Sequence, residues 1–224
     1  MLLNSRDCAI FLLLVFLLYW LVTNHQLRLQ NGLIVVASYV FYGWWDWRFL
    51  SLLLFSSIVD FVAGLAMMKE QKQGRRKAYL VLSILSNLGL LGFFKYYNFF
   101  IDSFRDAFSF LGVPFEAGTL YIILPVGISF YTFQSLSYGI DVYRRKLEPT
   151  PDPIAFLAFV SFFPQLVAGP IERATHLLPQ FQQKRVFDDG KAVDGMRQIL
   201  WGLFKKMVIA DNCGQFADQI FSQP

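Results

Sequence analysis

Long apolar runs follow one another along this chain, separated by short charged clusters, and a water-soluble core cannot hide that much apolar surface. Crossing the roughly 30 Å of bilayer hydrocarbon takes about 20 mostly apolar residues in a helix. Several runs meet that length. Of the 224 residues, 55% are hydrophobic and only 16% charged, against about a quarter charged in an average soluble domain. The expected fold is all-α: a polytopic transmembrane helical protein with no separate soluble domain.

The apolar run Cys8 to Val22 has signal-peptide character, but Thr23-Asn24-His25-Gln26 follows it without a small-residue cleavage site, so a retained membrane helix is expected. A second run, Gly32 to Trp45, reaches an aromatic cluster of Tyr42, Trp44, Trp45 and Trp47, rings that favour the headgroup level. A third helix is read from Trp47 to Met68. It ends in Lys69-Glu70-Gln71-Lys72-Gln73-Gly74-Arg75-Arg76-Lys77, the densest basic loop, which the positive-inside rule puts in the cytoplasm. The fourth helix, Ala78 to Ile101, leads to a loop with Asp102, Arg105, Asp106 and Glu116. The fifth, Leu120 to Tyr143, returns to Arg144-Arg145-Lys146. Counting back from loop 69–77 places Met1 outside.

Beyond Pro149-Thr150-Pro151-Asp152-Pro153 the pattern changes. Ile154 to Ala168 is apolar but short, broken by Pro164 and closed by Gly169-Pro170, which suits a re-entrant or kinked segment. The last helix, Val193 to Asn212, is amphipathic: Met196, Leu200, Leu203, Met207 and Ala210 share a face from which Arg197, Lys205 and Lys206 fall away. It is expected to lie along the cytoplasmic interface. The chain stops at Ser222-Gln223-Pro224, just after a fresh apolar run begins at Phe216, and is expected to be part of a longer protein.

Ionisable groups in hydrocarbon need a partner, an interface or a cavity. Asp60 and Asn87 lie about 8 and about 9 residues from the cytoplasmic ends of their helices, hence at nearly the same depth of roughly 12 Å, and are expected to be hydrogen-bonded neighbours. Interhelical glue and a proton or substrate path are both open readings of them. Lys95 is too far toward the other end to pair with Asp60, and its stem is expected to snorkel outward. On the fifth helix Tyr131, Gln134, Tyr138, Asp141 and Arg145 follow spacings of three and four and form one polar stripe, with Arg144 and Arg145 within helical reach of Asp141. Such a stripe faces either a wet cavity or a neighbouring helix, because lipid offers it no hydrogen bonds.

Local signatures of familiar chemistry are missing. Gly127-Ile128-Ser129-Phe130-Tyr131 lacks the second glycine of a nucleophile elbow, which leaves Ser129 a packing serine. Neither His25 nor His176 starts an H-x-x-x-x-D pair, and His176 reads as an interfacial histidine in a loop beside Glu172 and Arg173. No phosphate-binding glycine loop or zinc-binding H-E-x-x-H occurs. Cys8 and Cys213 have no metal-ligand spacing, so no metal or disulfide is expected. The net charge of +4 comes from the clusters between apolar runs, which excludes nucleic acid as a partner and leaves the lipid bilayer.

The segment Leu124-Pro125-Val126-Gly127-Ile128-Ser129-Phe130-Tyr131-Thr132-Phe133-Gln134, continuing through Gly139-Ile140-Asp141-Val142-Tyr143-Arg144, resembles the signature of the membrane-bound O-acyltransferase family in its bacterial alginate O-acetyltransferase-like branch. Phe162-Phe163-Pro164-Gln165-Leu166-Val167-Ala168-Gly169-Pro170-Ile171-Glu172-Arg173 resembles that branch's broken-helix motif. Gly202-Leu203-Phe204-Lys205-Lys206-Met207-Val208-Ile209-Ala210-Asp211 resembles its following amphipathic stretch. The cluster Tyr39 to Trp47 and Phe94-Lys95-Tyr96-Tyr97-Asn98 also fit.

The resemblance implies that residues 1–224 are the N-terminal part of a single membrane domain built as a ring of helices in the bacterial inner membrane. It further implies transfer of an acyl group, in this branch acetyl, from a cytoplasmic donor such as acetyl-CoA to an exported polysaccharide of the alginate class, with no bound cofactor. Under it, Tyr131, Gln134, Tyr138 and Asp141 are candidates to line the reaction chamber, and Arg197, Lys205 and Lys206 to meet the donor's phosphates. Attraction of those cations to anionic lipid is the competing reading. The family's histidine lies in a downstream helix that neither His25 nor His176 matches, and is expected beyond Pro224. Two rivals follow: a docking subunit for an outer-side acetyltransferase partner, and a transporter, which would call for an inverted repeat not seen here.

Overall fold

The protein is described by a computed structural model covering residues 5–22, 26–110, 125, 127–166, 169–170 and 172–221. Among these residues every regular element is helical. In chain order they are α1 (Arg6–Leu17) with a π turn at Leu18–Val22, α2 (Leu27–Asp46), a 3-10 turn at Trp47–Phe49, and α3 (Leu50–Lys69). Then come α4 (Gln73–Leu91), a π turn at Gly92–Tyr96, α5 (Tyr97–Phe110), α6 (Ile128–Tyr143), α7 (Pro153–Val160), α8 (Phe163–Leu166) and α9 (Ala174–Gln182). The last are α10 (Asp189–Phe204), a π turn at Lys205–Ala210, and α11 (Asp211–Phe221). They fall into two compact units, Gln26–Gln183 and Met1–His25 with Lys184–Pro224.

The larger unit is built with its polar residues inside. On α3 the buried positions Leu53, Ser56, Ser57, Asp60, Ala63, Gly64 and Met67 recur every three or four residues, and most are small or polar. The other side of the same helix carries Leu54, Phe55, Ile58 and Val62, with Phe55 52% exposed. α4 repeats the arrangement: Ser83 and Asn87 are buried while Leu82 and Leu85 face outward, Leu85 at 63%. Water would drive the opposite choice, since burying apolar side chains is the main favourable term in a soluble fold. An exposed apolar face with a buried polar one is the signature of helices that meet each other in lipid, where small residues permit close approach and hydroxyls and amides hydrogen-bond across. The stretches Leu27–Lys69 and Gln73–Arg105 are long and apolar enough to cross a bilayer.

α3, α4 and α6 pack on one another, and α7 lies among α2, α3, α6 and α9. Of the eight residues of α7, Ala155, Phe156, Ala158, Phe159 and Val160 are buried. The helix starts cleanly because Asp152 accepts the Ile154 N–H at 2.9 Å and Pro153, in the first turn, has no N–H to satisfy.

Several expected boundaries move. The basic segment 69–77 is mostly helix: only Glu70–Lys72 separate α3 from α4, and Arg75, Arg76 and Lys77 lie in the first turns of α4. Glu70 fixes that turn by accepting the Lys72 N–H at 2.9 Å and facing Arg75 at 3.5 Å, contacts that hold its carboxyl below the usual carboxylate range. The fourth helix does not end near Ile101: through the π turn it continues as α5 to Phe110, so Asp102, Arg105 and Asp106 are helical and not in a loop. Glu116 lies outside the described residues.

α6 begins at Ile128 and runs 16 residues, because Gly127 takes a left-handed φ of 79° that no continuing helix can contain. Residues 120–124 lie outside the described part. The break in Ile154 to Ala168 falls at Ser161-Phe162, with Pro164 inside the first turn of α8, where a missing N–H costs nothing. His176 sits in α9 and not in a loop. The last helix extends from Asp189 to Phe221 with a π turn in its middle. That turn shifts the register, so Met196 and Leu200 before it no longer share one straight face with Met207 and Ala210. No residue of α10, the π turn or α11 is buried.

Candidate functional site

The polar stripe of α6 is turned inward. Tyr131 and Tyr138 are 0% exposed, Gln134 4% and Asp141 9%. Gln134 Nε2 donates to the carbonyl of Phe159 in the last turn of α7 at 2.8 Å. The Tyr138 ring lies 4.8 Å from that of Phe156, centroid to centroid. Arg145 leaves the stripe: α6 ends at Tyr143 and Arg145 takes a left-handed φ of 58°. Among the described residues Asp141 therefore makes no ion pair with Arg144 or Arg145.

The stripe sits among other polar groups. The hydroxyls of Tyr131, Thr132, Ser135 and Tyr138 on α6, of Tyr39 and Tyr42 on α2, and Gln165 Oε1 on α8 are buried without a hydrogen-bond partner among the described residues. Buried polar atoms are otherwise almost always paired. Gly127 lets this end of α6 approach α8: a Cβ there would stand 2.5 Å from the carbonyl oxygen of Leu166 and 3.8 Å from the Tyr42 ring. Unpartnered polar atoms thus occur on α2, α6 and α8, most of them on α6.

A second cluster adjoins it. Asp60, 1% exposed, accepts from Ser83 Oγ at 2.5 Å and from Asn87 Nδ2 at 2.8 Å on Oδ1 and 3.0 Å on Oδ2. Ser56 Oγ in turn donates to Asn87 Oδ1 at 2.6 Å. The expected Asp60–Asn87 contact is therefore real. Sequence reasoning missed Ser56 and Ser83, although Ser56–Asp60 and Ser83–Asn87 are each four apart and so share a helix face.

Arg76 was read only as part of a basic loop, yet it is buried and donates from Nη2 to the carbonyls of Val142 at 3.2 Å and Tyr143 at 3.1 Å. It adds a donor to the Val142 carbonyl, which also accepts from the Arg145 N–H at 3.1 Å, supplies one to the Tyr143 carbonyl, and lies where the helix dipole favours a cation. Lys95 is exposed, with Nζ 5.4 Å from the Tyr96 ring centre. Ser129 is half-buried in the first turn of α6. The His176 side chain is 72% exposed and its Nδ1 lies 3.2 Å from Glu172 Oε2. His25 lies outside the described residues.

Arg197, Lys205 and Lys206 belong to the other unit. Lys206 pairs with Asp211, and Lys205 Nζ lies 5.2 Å from the centre of the Trp201 ring. Two of the three cations thus have local partners.

No family model and no solved structure matches the chain. Curated relatives do. The chain is 40% identical over 222 residues to the probable alginate O-acetylase AlgI of Pseudomonas aeruginosa, covering 97% of this chain and 42% of that protein. Its similarity is therefore to proteins named as O-acetylases. The probable alginate O-acetylase AlgI of Azotobacter vinelandii is 40% identical over 87% of the chain and 39% of its own length. The peptidoglycan O-acetyltransferase of Helicobacter pylori is 35% identical over 83% and 39%. The chain thus spans about two fifths of the length of these relatives.

Proposed function

We propose that this chain is part of a multi-pass membrane O-acyltransferase that moves an acetyl group from cytoplasmic acetyl-CoA to hydroxyls of an exported polysaccharide. The observation that carries this reading is the 40% identity over 97% of the chain to a protein named as a probable alginate O-acetylase. A second relative is named for peptidoglycan, so the acceptor is assigned only as a glycan with free hydroxyls.

In this reading the helices form part of a ring, and the inward face of α6, with Tyr131, Gln134, Tyr138 and Asp141, lines the chamber. Its support is that these side chains are buried in protein and that hydroxyls from α2 and α6 beside them have no other partner. The transfer breaks the thioester C–S bond and the acceptor O–H bond, and forms the ester C–O bond and the S–H bond of the released thiol. Hydrogen-bond donors held around the carbonyl oxygen stabilise the charge that develops there. Neither His25 nor His176 is assigned the role of base. His176 is exposed and paired with Glu172.

The segment 69–77 and the cluster Arg144-Arg145-Lys146 are assigned to the cytoplasmic side of the bacterial inner membrane, with the N-terminus outside. Arg76 ties the first of these to the end of α6, which supports placing both at one membrane face. Arg197, Lys205 and Lys206 are proposed to meet the CoA phosphates. Unchanged acetyl-CoA affinity after neutralising all three would transfer them to the lipid surface.

The test of function is genetic. Deleting the gene should lower the O-acetyl content of an exported glycan, measured by NMR of the purified polymer, and restoring it with Gln134→Ala and Tyr138→Ala variants should not recover it. Unchanged acetylation of every exported glycan in the deletion strain would sink the assignment.

A further inference from the structure

We infer that Asp60 is a proton-binding site: its carboxyl carries a proton at rest and exchanges it with the hydroxyls of Ser135 and Tyr138 on α6. The inference begins from charge. Asp60 is buried among α3, α4 and α6, and among the described residues no Lys, Arg or His lies within ion-pair distance of it. A carboxylate in that setting lacks the cation that offsets its desolvation, so it must take up a proton or a small cation.

The hydrogen-bond pattern favours the proton. Oδ1 accepts from both Ser83 and Asn87, whereas Oδ2 shares only the longer contact to the same Asn87 nitrogen, at 3.0 Å. Asn87 has no freedom to turn its oxygen toward the carboxyl, because that oxygen accepts from Ser56. A cation beside Asp60 would therefore meet an NH2 group, not a ring of oxygens. Oδ2 is the less occupied of the two oxygens, and two hydroxyls of α6 lie on the Asp60 side. Ser135 and Tyr138 are 0% exposed; the Ser135 hydroxyl faces the carboxyl without closing a well-formed hydrogen bond to it, and the Tyr138 hydroxyl, without a partner among the described residues, lies near it. Tyr138 Oη is pressed against Gly64, one turn along α3 from Asp60. A proton on Oδ2 becomes a donor to these oxygens and satisfies buried atoms that a carboxylate would leave idle.

The ionisable group facing Asp60 from α6 is the Tyr138 phenol. α4 contributes Ser83 and Asn87, and α7, Pro153–Val160, contains no titratable side chain. On α2, which also packs on α3, the titratable groups with buried hydroxyls are Tyr39 and Tyr42. Resting on the acyl-transfer reading, the site has a use: the proton lost by the acceptor hydroxyl must end on the thiol sulfur of the donor. Asp60 gives up and regains one proton per turnover, so the overall balance is unchanged. It acts through the hydroxyls of α6 and not on the substrate.

The experiment is infrared difference spectroscopy on the intact protein in lipid nanodiscs, paired with turnover. Wild type should show the carbonyl stretch of a protonated carboxyl at neutral pH, absent from Asp60→Asn and moved by Ser135→Ala and by Tyr138→Phe. Asp60→Asn, which keeps the shape, should reduce kcat about 100-fold with KM unchanged, and Asp60→Glu should recover part of it. No protonated band in wild type, or a band that vanishes when sodium replaces potassium, overturns the proton site. Wild-type turnover with an unchanged pH profile in Asp60→Asn overturns the exchange and leaves packing. If Asp60→Asn does not fold, the band in the Ser135 and Tyr138 variants decides, and an unmoved band overturns the pairing. Absence of acetyl transfer by wild type would remove the proposed function while leaving the band, so the two failures are distinct.

Discussion

Gln134 on α6 donates a hydrogen bond to the backbone carbonyl of Phe159 at 2.8 Å, tying a side chain of the motif-bearing helix to the last turn of α7. That carbonyl is one of the helix-end acceptors with no partner inside its own helix, and both groups are buried. Gln134→Leu keeps the volume but removes the donor, leaving the carbonyl dry. The expected loss is about 1–3 kcal/mol, read as a lower melting temperature in detergent. A Leu variant that melts with wild type would show that the contact contributes nothing to holding α7.

Arg76 makes a different prediction, because it answers two carbonyls with one guanidinium nitrogen and lies 5.7 Å from the centre of the Tyr143 ring. Arg76→Gln removes the charge at the C-terminal end of α6, and Arg76→Lys keeps charge but not the planar head. The expected order of stability is wild type, then Lys, then Gln, with the Gln variant lower by about 2 kcal/mol. Chemical denaturation in mixed micelles gives the order. Equal stability of the Lys and Gln variants would mean that charge at the helix end is not what holds α6 to α4.

What could be read in the sequence, and what could not, divides along physical lines. Depth along a helix is fixed by its rise, so counting residues inward from the basic segment was enough to bring Asp60 and Asn87 together. The i, i+3, i+4 rule likewise placed Tyr131, Gln134 and Tyr138 on one face, and burial shows which face it is. Partners contributed by other helices were hidden. Nothing local in the sequence says that Arg76 folds back onto Val142, or that Ser56 reaches Asn87, because those contacts span 66 and 31 residues. Backbone breaks were misplaced for a related reason. Pro164 drew attention as the breaker of the α7–α8 segment, yet proline is harmless in a first turn, and the chain turns two residues earlier at Ser161-Phe162.

Gly64 and Tyr138 should behave as one unit. A Cβ at Gly64 would sit 2.4 Å from Tyr138 Oη and 2.9 Å from Cε1, closer than real atoms approach. Overpacking of this kind costs about 1–3 kcal/mol, so Gly64→Ala should destabilise the α3–α6 contact. Tyr138→Phe removes the nearest atom, so the double variant should be more stable than the sum of the two single effects predicts. Strict additivity of the melts would mean that Gly64 and Tyr138 do not touch.

Gly127 meets a conformational demand and a steric one at once, and comparison with Gly89 separates them. At Gly127 an added methyl meets two penalties: a left-handed φ of 79°, and the Leu166 carbonyl oxygen at 2.5 Å, which belongs to backbone and cannot rotate aside. The conformational part alone is about 1–2 kcal/mol. At Gly89, within α4, nothing lies within 4 Å of the same methyl, and alanine there should raise stability by about 0.5–1 kcal/mol, since glycine weakens a helix interior. Opposite shifts in melting temperature are therefore expected for Gly127→Ala and Gly89→Ala. Because Gly127 opens the helix that carries Tyr131 and Gln134, under the proposed function its alanine variant should also lose acetyl transfer more steeply than it loses stability. If Gly127→Ala is as stable and as active as wild type, the tight approach of α6 to the Leu166 carbonyl is not a feature of the working protein.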